Sequence, residues 1–325
     1  GTAHAGCEFR APGIRFRLPY GELSGQRAHY VYPQQELVTD LIAAYLRASG
    51  TVHFEASEVA LQLQEPEAPE LRFIDAAGES CRVRARFIAG CDGFHGVCRP
   101  SVREGALRFY DKRTPHSWVA ILAAAPPSTK EIIYALHPRG FAGHMLRTAS
   151  ISRYYLQCAL TDTISDWPDE RIWSELHTRL ATQDGWTLTQ GPIIDKHILE
   201  LRCFVTEPMQ EGRLFLVGDA AHIISPAGGK GMNLAIADAE ALVAALRAEL
   251  ERGDPSLLAA YSAACLRRVW RAQEFSQWML DLLHAPDPAQ PESSFFRKLQ
   301  LARLEHLRSS TVFAQSFAEN YVGIS

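Results

Sequence analysis

Gly212-Arg213-Leu214-Phe215-Leu216-Val217-Gly218-Asp219-Ala220-Ala221-His222 continues through Ser225-Pro226-Ala227-Gly228-Gly229-Lys230-Gly231-Met232-Asn233 as strand, acidic loop and glycine-rich helix start. The apolar run Leu214 to Val217 has the mark of a strand buried on both faces, as in the parallel sheet of an α/β domain. Gly218-Asp219 ends it, and the small Ala220 and Ala221 let the backbone approach a neighbour closely. Gly228, Gly229 and Gly231 then free the chain to point amides at a ligand, just before an amphipathic helix predicted from about Met232 to Arg252. Such a helix start suits an anion or a polar ring. A Gly-Asp pair alone reads as a plain turn with an Asx hydrogen bond, so the ligand reading rests on the whole pattern.

The first thirty residues read as loop and hairpin. Pro33-Gln34-Gln35-Glu36 opens a helix with Leu37, Leu41, Ile42 and Tyr45 on one stripe, ending at Gly50. Strands are expected over Thr51 to Phe54 and Val59 to Leu63, with a hairpin around Gly78 and a short buried strand at Phe87-Ile88-Ala89-Gly90. From about Ser101 the pattern turns to strands without helices (Trp118 to Ala124, Glu131 to Leu136, Gly140 to Met145, Ser152 to Leu160). That run predicts an antiparallel sheet forming a separate substrate layer. A helix after Trp167-Pro168 and a strand over Ile193 to Phe204 lead back to the organising stretch. Two helical segments follow it, Ser256 to His284 and Phe295 to Leu307.

The chain has 325 residues, enough for two domains, and a net charge of -4 that offers no electrostatic case for nucleic acid. No apolar run approaches the length of a membrane span, about 18 residues, and no basic-then-apolar leader opens the chain. Seven cysteines, odd in number and never in Cys-x-x-Cys spacing, read as buried reduced thiols of a cytoplasmic protein and not as metal ligands or a disulfide framework.

The order of motifs then resembles a known family. Cys91-Asp92-Gly93-Phe94-His95-Gly96, Tyr134 with His137-Pro138-Arg139-Gly140-Phe141, Ser152-Arg153-Tyr154-Tyr155, the Gly-Asp-Ala-Ala-His block and Glu319-Asn320-Tyr321-Val322-Gly323 fall in one chain. Together they resemble the 4-hydroxybenzoate 3-monooxygenase family of class A flavin-dependent aromatic hydroxylases. The resemblance implies an α/β (α+β) fold in which an FAD/NAD(P)-binding dinucleotide domain (1–106 and 201–253) is interleaved with an antiparallel-sheet substrate domain (107–200), followed by a C-terminal helical region (254–325). It implies FAD as cofactor, NADPH or NADH as co-substrate, O2 and a small aromatic acid as substrates, and neither nucleic acid nor membrane as partner; a homodimer stays open. No Gly-x-Gly-x-x-Gly occurs and the chain starts at Gly1, so an N-terminally truncated piece lacking the first βαβ unit is expected.

Residue by residue, the resemblance places Tyr134 and Tyr321 in a proton relay from the substrate phenol, with the Pro226 carbonyl as a backbone acceptor beside it. Arg147 and Tyr155 match the carboxylate grip. Gln34, Asp92, Arg153, Asp219, Lys230, Met232 and Asn233 match FAD contacts, and His95, Arg99 and Arg202 match NADPH contacts. Two positions depart from the pattern: Met145 stands where a serine donates to the substrate carboxylate, and Leu136 where an asparagine is typical. Both make the pocket more apolar. Hydroxylation of a 4-hydroxybenzoate-like acid ortho to its hydroxyl is therefore the expected activity. Hydroxylation of an aminobenzoate or a less polar phenol, and an inactive fragment, are the alternatives.

Overall fold

The structure, a computed structural model, describes residues 2–63, 65 and 68–323. The N-terminal elements are β1 (Thr2–His4), β2 (Cys7–Ala11), β3 (Ile14–Leu18), α1 (Tyr20–Leu23), β4 (His29–Val31), α2 (Gln34–Arg47), β5 (Ser57–Gln62), β6 (Glu70–Ile74), β7 (Ser80–Arg84) and β8 (Ile88–Gly90). Next come β9 (Arg108–Ala123), β10 (Ile132–Ala135), β11 (Ala142–Leu146), β12 (Ser152–Cys158), α3 (Asp169–Arg179) and β13 (Ile193–Glu207). The chain ends with β14 (Gln210–Glu211), β15 (Leu214–Leu216), β16 (His222–Ile223), α4 (Gly231–Arg252), α5 (Ser256–Leu283), α6 (Ser293–Ser309) and α7 (Thr311–Val322).

The chain packs as two units, the first made of Gly1–Asp40, Thr114–Leu201 and Gln277–Ser325, the second of Leu41–Arg113 and Arg202–Ser276. These boundaries differ from the division expected at 106, 200 and 253: within the first forty residues β2 and β3 join the large sheet, and β1 pairs with β4 in a sheet of their own. In the first unit the strand order is β13, β9, β12, β11, β10, β2, β3. Most neighbours are antiparallel, but β10 and β2 run parallel, from Ile132 opposite Cys7 to Ala135 opposite Arg10. The sheet is thus mixed and not purely antiparallel as expected: β2, read from sequence as loop and hairpin, adds itself to its edge. One face carries Val119, Ile121, Tyr154 and Leu156 onto Ile172, Trp173 and Leu176 of α3, all buried. By strand alternation the opposite face carries Trp118, Ala120, Tyr155, Gly143 and Tyr134.

In the second unit β15 runs parallel to β8, with Leu214, Phe215 and Leu216 opposite Ile88, Ala89 and Gly90. All three β15 residues are buried, so the apolar run is a strand covered on both faces. The core there joins Leu214 to Val217 with Leu242 and Ala245 of α4 and Leu258 and Tyr261 of α5. The left-handed Gly253 closes α4, its amide bonding back to Ala248 and Glu249 carbonyls. β5, β6 and β7 form a separate antiparallel sheet.

Several local expectations change. Thr51 to Phe54 forms no strand; among the described residues no partner strand meets it, and His53 packs its ring on Phe73 at 5.1 Å. α2 forms as expected but buries none of its residues, leaving Leu41 57% and Tyr45 54% exposed. Of the cysteines, Cys91 is exposed and Cys81 and Cys203 are half-buried, so not all are the buried thiols expected. The C-terminal region holds a further helix, α7, started by Ser310, whose side chain accepts from the Phe313 amide at 3.3 Å. No helix of the described residues is long and apolar enough to cross a membrane.

Candidate active site

Two site residues of the first unit, Tyr134 and Tyr155, share one row across the sheet. Phe16 pairs with Phe9, Phe9 with Tyr134, Tyr134 with Gly143, Gly143 with Tyr155 and Tyr155 with Ala120. Because partners in register point to the same face, this row forms a floor in which Gly143 lies between the aromatic Tyr134 and Tyr155, with Ala120 at its end. Phe9 stacks on Tyr134 at 5.6 Å, and Trp118 lies 4.9 Å from Tyr155. Trp118 is itself fixed from below: its indole donates to His284 Nε2 at 2.7 Å, and burial pushes His284 down to about 3, so it stays a neutral acceptor.

Helix α7 covers the tyrosine end of the floor. Phe317 and Tyr321 lie one helical turn apart, Phe317 packing edge-on to Phe9 at 5.7 Å and stacking on Tyr321 at 5.4 Å. This brings the Tyr321 hydroxyl to 2.9 Å from that of Tyr134, across 187 residues of chain. Tyr134 is 4% and Tyr321 1% exposed. Burial raises both phenol pKa values well above the usual tyrosine range, so at neutral pH both are hydroxyls and each can donate or accept. Sequence reasoning missed the next shell. Tyr321 stacks on His29 at 5.0 Å and packs on Tyr20 at 4.9 Å, and the Tyr20 hydroxyl lies 2.8 Å from His4 Nδ1. No local signal marks these residues, since only the pairing of β1 with β4 sets His4 opposite His29.

At the other end of the floor Arg153 donates to the Tyr155 hydroxyl at 3.4 Å. Arg147 donates to Gln35 Oε1 at 2.9 Å, which ties it to the first turn of α2 beside the exposed Gln34. Burial and the neighbouring Arg153 lower the Arg147 pKa, the signature of two cations held close. Met145 lies half-buried over the floor. A Cβ built on Gly143 would stand 3.0 Å from Met145 Cε and 3.0 Å from Phe141 Cζ, so the methionine methyl occupies the space that the glycine leaves.

In the second unit the organising stretch is built around two turns. Gly218 takes φ +61 and has Ala235 so close that an added Cβ would meet its Cβ at 2.9 Å, which is why a glycine follows the strand. Asp238, fully buried on α4, accepts from the Gly218 amide at 3.2 Å and from His222 Nε2 at 2.6 Å, clamping both ends of the Gly-Asp-Ala-Ala-His turn. Between them Asp219 is left exposed. Asp238 was not picked out from the sequence, where it is one of several acids on a helix.

The second turn begins at Pro226, whose carbonyl accepts from the Gly229 amide at 3.0 Å. One of its lone pairs is thus used by the turn and one is left for a ligand. Ser276 fastens this loop by donating to Ala227 O at 3.2 Å. Lys230 is 6% exposed, its ammonium 5.7 Å from the Phe275 ring centre, and burial lowers its pKa to about 8. Helix α4 then starts with no side-chain cap on its amides, and Met232 and Asn233 are exposed in its first turn.

Asp92, His95, Arg99 and Arg202 come together around Phe94. Arg99 and Arg202 each sit 4.3 Å from the Phe94 ring centre, and the His95 ring lies 5.1 Å from it. Asp92 serves its own loop, accepting from the Cys98 amide at 2.8 Å. Arg99 donates to Ala220 O at 2.9 Å and Phe94 O at 2.5 Å, tying this loop to the Gly-Asp-Ala-Ala-His turn. Arg202 holds Asp111 through two bonds, at 2.8 and 2.5 Å.

An uncapped helix start, two left-handed glycines (Gly228 at φ +84 and Gly229 at φ +63) and an exposed carboxylate on a clamped turn fit a cofactor that presents both acceptors and donors. Comparison with known proteins gives the cofactor its name. The FAD binding domain family matches residues 1–276. The p-hydroxybenzoate hydroxylase of Acinetobacter baylyi is 40% identical over 324 residues, covering 100% of this chain and 79% of that protein. A 3-amino-4-hydroxybenzoate 2-monooxygenase of Streptomyces platensis is 27% identical over 81% of this chain and 65% of its own length. The crystal structure of a p-nitrophenol 4-monooxygenase from Pseudomonas putida superposes with a TM-score of 0.77 at 20% identity, covering 100% of this chain and 82% of that one. Fold, glycine turn and whole-chain similarity agree: the chain belongs to the FAD-dependent aromatic hydroxylases.

Proposed function

We propose that the chain hydroxylates a 4-hydroxybenzoate-like aromatic acid ortho to its hydroxyl, giving a 3,4-dihydroxybenzoate, with NAD(P)H and O2 as co-substrates and in the cytoplasm, where that reductant is supplied. The observation that carries this reading is the buried pair of hydroxyls, Tyr134 and Tyr321, 2.9 Å apart at one end of an aromatic-walled floor. Ring hydroxylation needs an electron-rich ring, so the phenol must give up its proton while water is kept out. Tyr134 accepts that proton as its own passes to the Tyr321 oxygen, which gives up its hydrogen to an acceptor beyond the pair, so the pair stays neutral. Arg147 and Tyr155, near the other end, supply a cation and an O–H donor for the carboxylate.

FAD, when bound, supplies the O2-activating chemistry. Gln34, Arg153, Asp219, Lys230, Met232 and Asn233, with the Asp92 loop, are the residues that would hold it; Lys230 would keep its surroundings positive. His95, Arg99 and Arg202 are assigned to NAD(P)H, the last two through whatever donors remain beyond their present partners. The Acinetobacter relative, a p-hydroxybenzoate hydroxylase, supports this substrate class.

Met145 favours a second reading. Its methyl fills the floor where a donor to a carboxylate is expected, which suits a ring with a less charged or bulkier substituent, such as an aminobenzoate or a less polar phenol. The test is to titrate the flavin-loaded enzyme with 4-hydroxybenzoate, 4-aminobenzoate and a neutral phenol, following NADPH oxidation and product. Coupled formation of 3,4-dihydroxybenzoate is expected from the first ligand. NADPH oxidation indifferent to all three, with no hydroxylated product, would overturn the proposal.

A further inference from the structure

The large sheet of the first unit has a cavity on the face opposite the aromatic floor. Phe9 and Arg10 are consecutive on β2 and point to opposite faces, Phe9 to the floor beside Tyr134 and Arg10 to Trp186, whose ring centre lies 4.0 Å from its guanidinium. A cavity of about 480 Å³ opens there, bounded by the β2–β3 turn, Leu136, His137 and the end of α3. Leu136, where the family pattern has an asparagine, is one of its apolar walls.

The buried polar groups that line it are donors. Arg10, 4% exposed, gives Nε to Glu8 at 2.5 Å and Nη1 to the Leu180 carbonyl. Arg179, 7% exposed, gives Nε to Glu175 at 2.8 Å and Nη1 to the Gln157 and Phe141 carbonyls at 2.9 and 3.4 Å. Among the described residues no protein group takes the Nη2 hydrogens of either arginine. His137 Nδ1 accepts from the Arg139 amide at 3.1 Å; burial, then the Arg179, Arg297 and Arg139 cations, hold its ring below the usual imidazole range, so its one hydrogen is on Nε2. The only acid in the lining, Asp184, is taken up by Arg15 and by the Thr182 hydroxyl at 2.6 Å. Arg10, Arg15, Arg139 and Arg179 share the carboxylates of Glu8, Glu175 and Asp184, which leaves one positive charge unmatched. Arg297 of α6 adds a second, with a buried Nη2 that no described residue bonds.

We propose that this cavity is a second acid site, which binds a small aromatic carboxylate with its charge among the open donors of Arg10, Arg179 and His137 and its ring against Pro12, Ile14, Leu136 and Ala181. Excess charge and donors without acceptors call for an anion, and the apolar walls call for one with a body that water hydrates poorly. The proposal rests on the hydroxylation reading only for the choice of an aromatic acid, the class assigned to the floor. The two sites would then lie back to back on neighbouring strands, since the Leu136 amide donates to the Arg10 carbonyl at 2.8 Å just beyond the rung that pairs Tyr134 with Phe9.

Trp186 reports the Arg10 end of the cavity. In protein labelled with 5-fluorotryptophan, its 19F signal is identified by its loss in Trp186→Phe, and the measurement needs no flavin. 4-Hydroxybenzoate should shift that signal saturably, with a dissociation constant of about 1 mM for so small a ligand. A neutral phenol and inorganic phosphate should each need at least roughly ten times more. Thr178→Glu, at an exposed position on the rim, sets a carboxylate beside the donors and should weaken the acid roughly tenfold. Ala181→Phe, also exposed, should do so by bulk, and serves if the first variant does not fold. Arg147→Ala, across the sheet, should leave the titration as it was. No shift at concentrations well above the expected constant would overturn the proposal, and so would an unchanged titration in either folded cavity variant or its loss in Arg147→Ala. Phosphate or the neutral phenol acting as readily as the acid would overturn it as well. If the signal titrates as described while the flavin-loaded enzyme forms no hydroxylated product, the hydroxylation reading fails and the acid site stands.

Discussion

The two units treat polar groups in opposite ways. In the first, hydroxyls and imidazoles are sealed in: Tyr134, Tyr321, Tyr20, His4, His144 and His284 are all buried, and each bonds to at least one other protein group. In the second, Asp238 and His222 are buried as a clamp and Lys230 is buried, but Asp219 and Asn233 are exposed and the start of α4 has no capping side chain. A closed network does proton chemistry, which bulk water would short-circuit, whereas an open turn waits for a ligand to complete it. The difference shows where pH, substitution and ligand should act.

The largest expected effect is acid sensitivity of the first unit. His284 sits at about 3 and His144 at about 4 because burial disfavours their cations. Above pH 6.5 folded and unfolded chains both keep these rings neutral. As pH falls below that, only the unfolded chain takes up protons, so stability declines, by roughly 2 kcal/mol for each ring at pH 5. Urea unfolding at pH 7.5 and 5 with hydrogen exchange should show the first unit opening first; equal protection loss in both units would erase the contrast. Next, Asp238→Ala should cost about 3 kcal/mol, since it strands the Gly218 amide and His222 inside the second unit. The same variant should retain less flavin after gel filtration, and unimpaired retention would mean the clamped turn is not what holds the cofactor.

Tyr134→Phe should lower product formation about a hundredfold while substrate affinity changes little, because in the proposed relay the hydroxyl moves a proton and does not grip the ring. The check is the ratio of hydrogen peroxide to hydroxylated product per NADPH; an unchanged ratio removes Tyr134 from the chemistry. The smallest effect concerns Met145. Met145→Ser restores a donor worth about 1.5 kcal/mol to a charged acceptor, so 4-hydroxybenzoate should bind about tenfold more tightly. If the enzyme prefers a less polar ring, that ligand should weaken in parallel, and flavin fluorescence titration with both separates the cases.

The sequence made the second unit more legible than the first. Gly218, Gly228 and Gly229 are needed because of backbone conformation, a local property that a run of letters displays, and the strand before them carries its burial in consecutive apolar residues. The C-terminal half of β9, most of β13, the hairpin at Gly78 and helices α3 to α6 were likewise marked by period and turn residues, whereas the start of β9 at Arg108 was not read as strand. The closed network of the first unit is non-local. Tyr134 and Tyr321 were named only through family resemblance, and His4, Tyr20 and Asp238 were not named at all, because what makes them matter is a partner elsewhere in the chain. The parallel pairing of β2 with β10 escaped for the same reason: β2 reads as a hairpin strand whichever edge it joins.

The row from Phe16 to Ala120 also bears on how such a protein diversifies. Its register is carried by main-chain hydrogen bonds, which do not depend on what side chains stand at Gly143, Ala120 or Met145. A single substitution there can reshape the floor beneath a bound ring while every rung of the ladder stays in place. Tyr134, in the same row, has no such latitude, because its hydroxyl answers to a residue on another element. On the proposed reading, substrate preference can therefore drift by single mutational steps along a surface whose reactive end is held fixed, which is the arrangement a lineage needs to try new aromatic rings without relearning how to oxidise them.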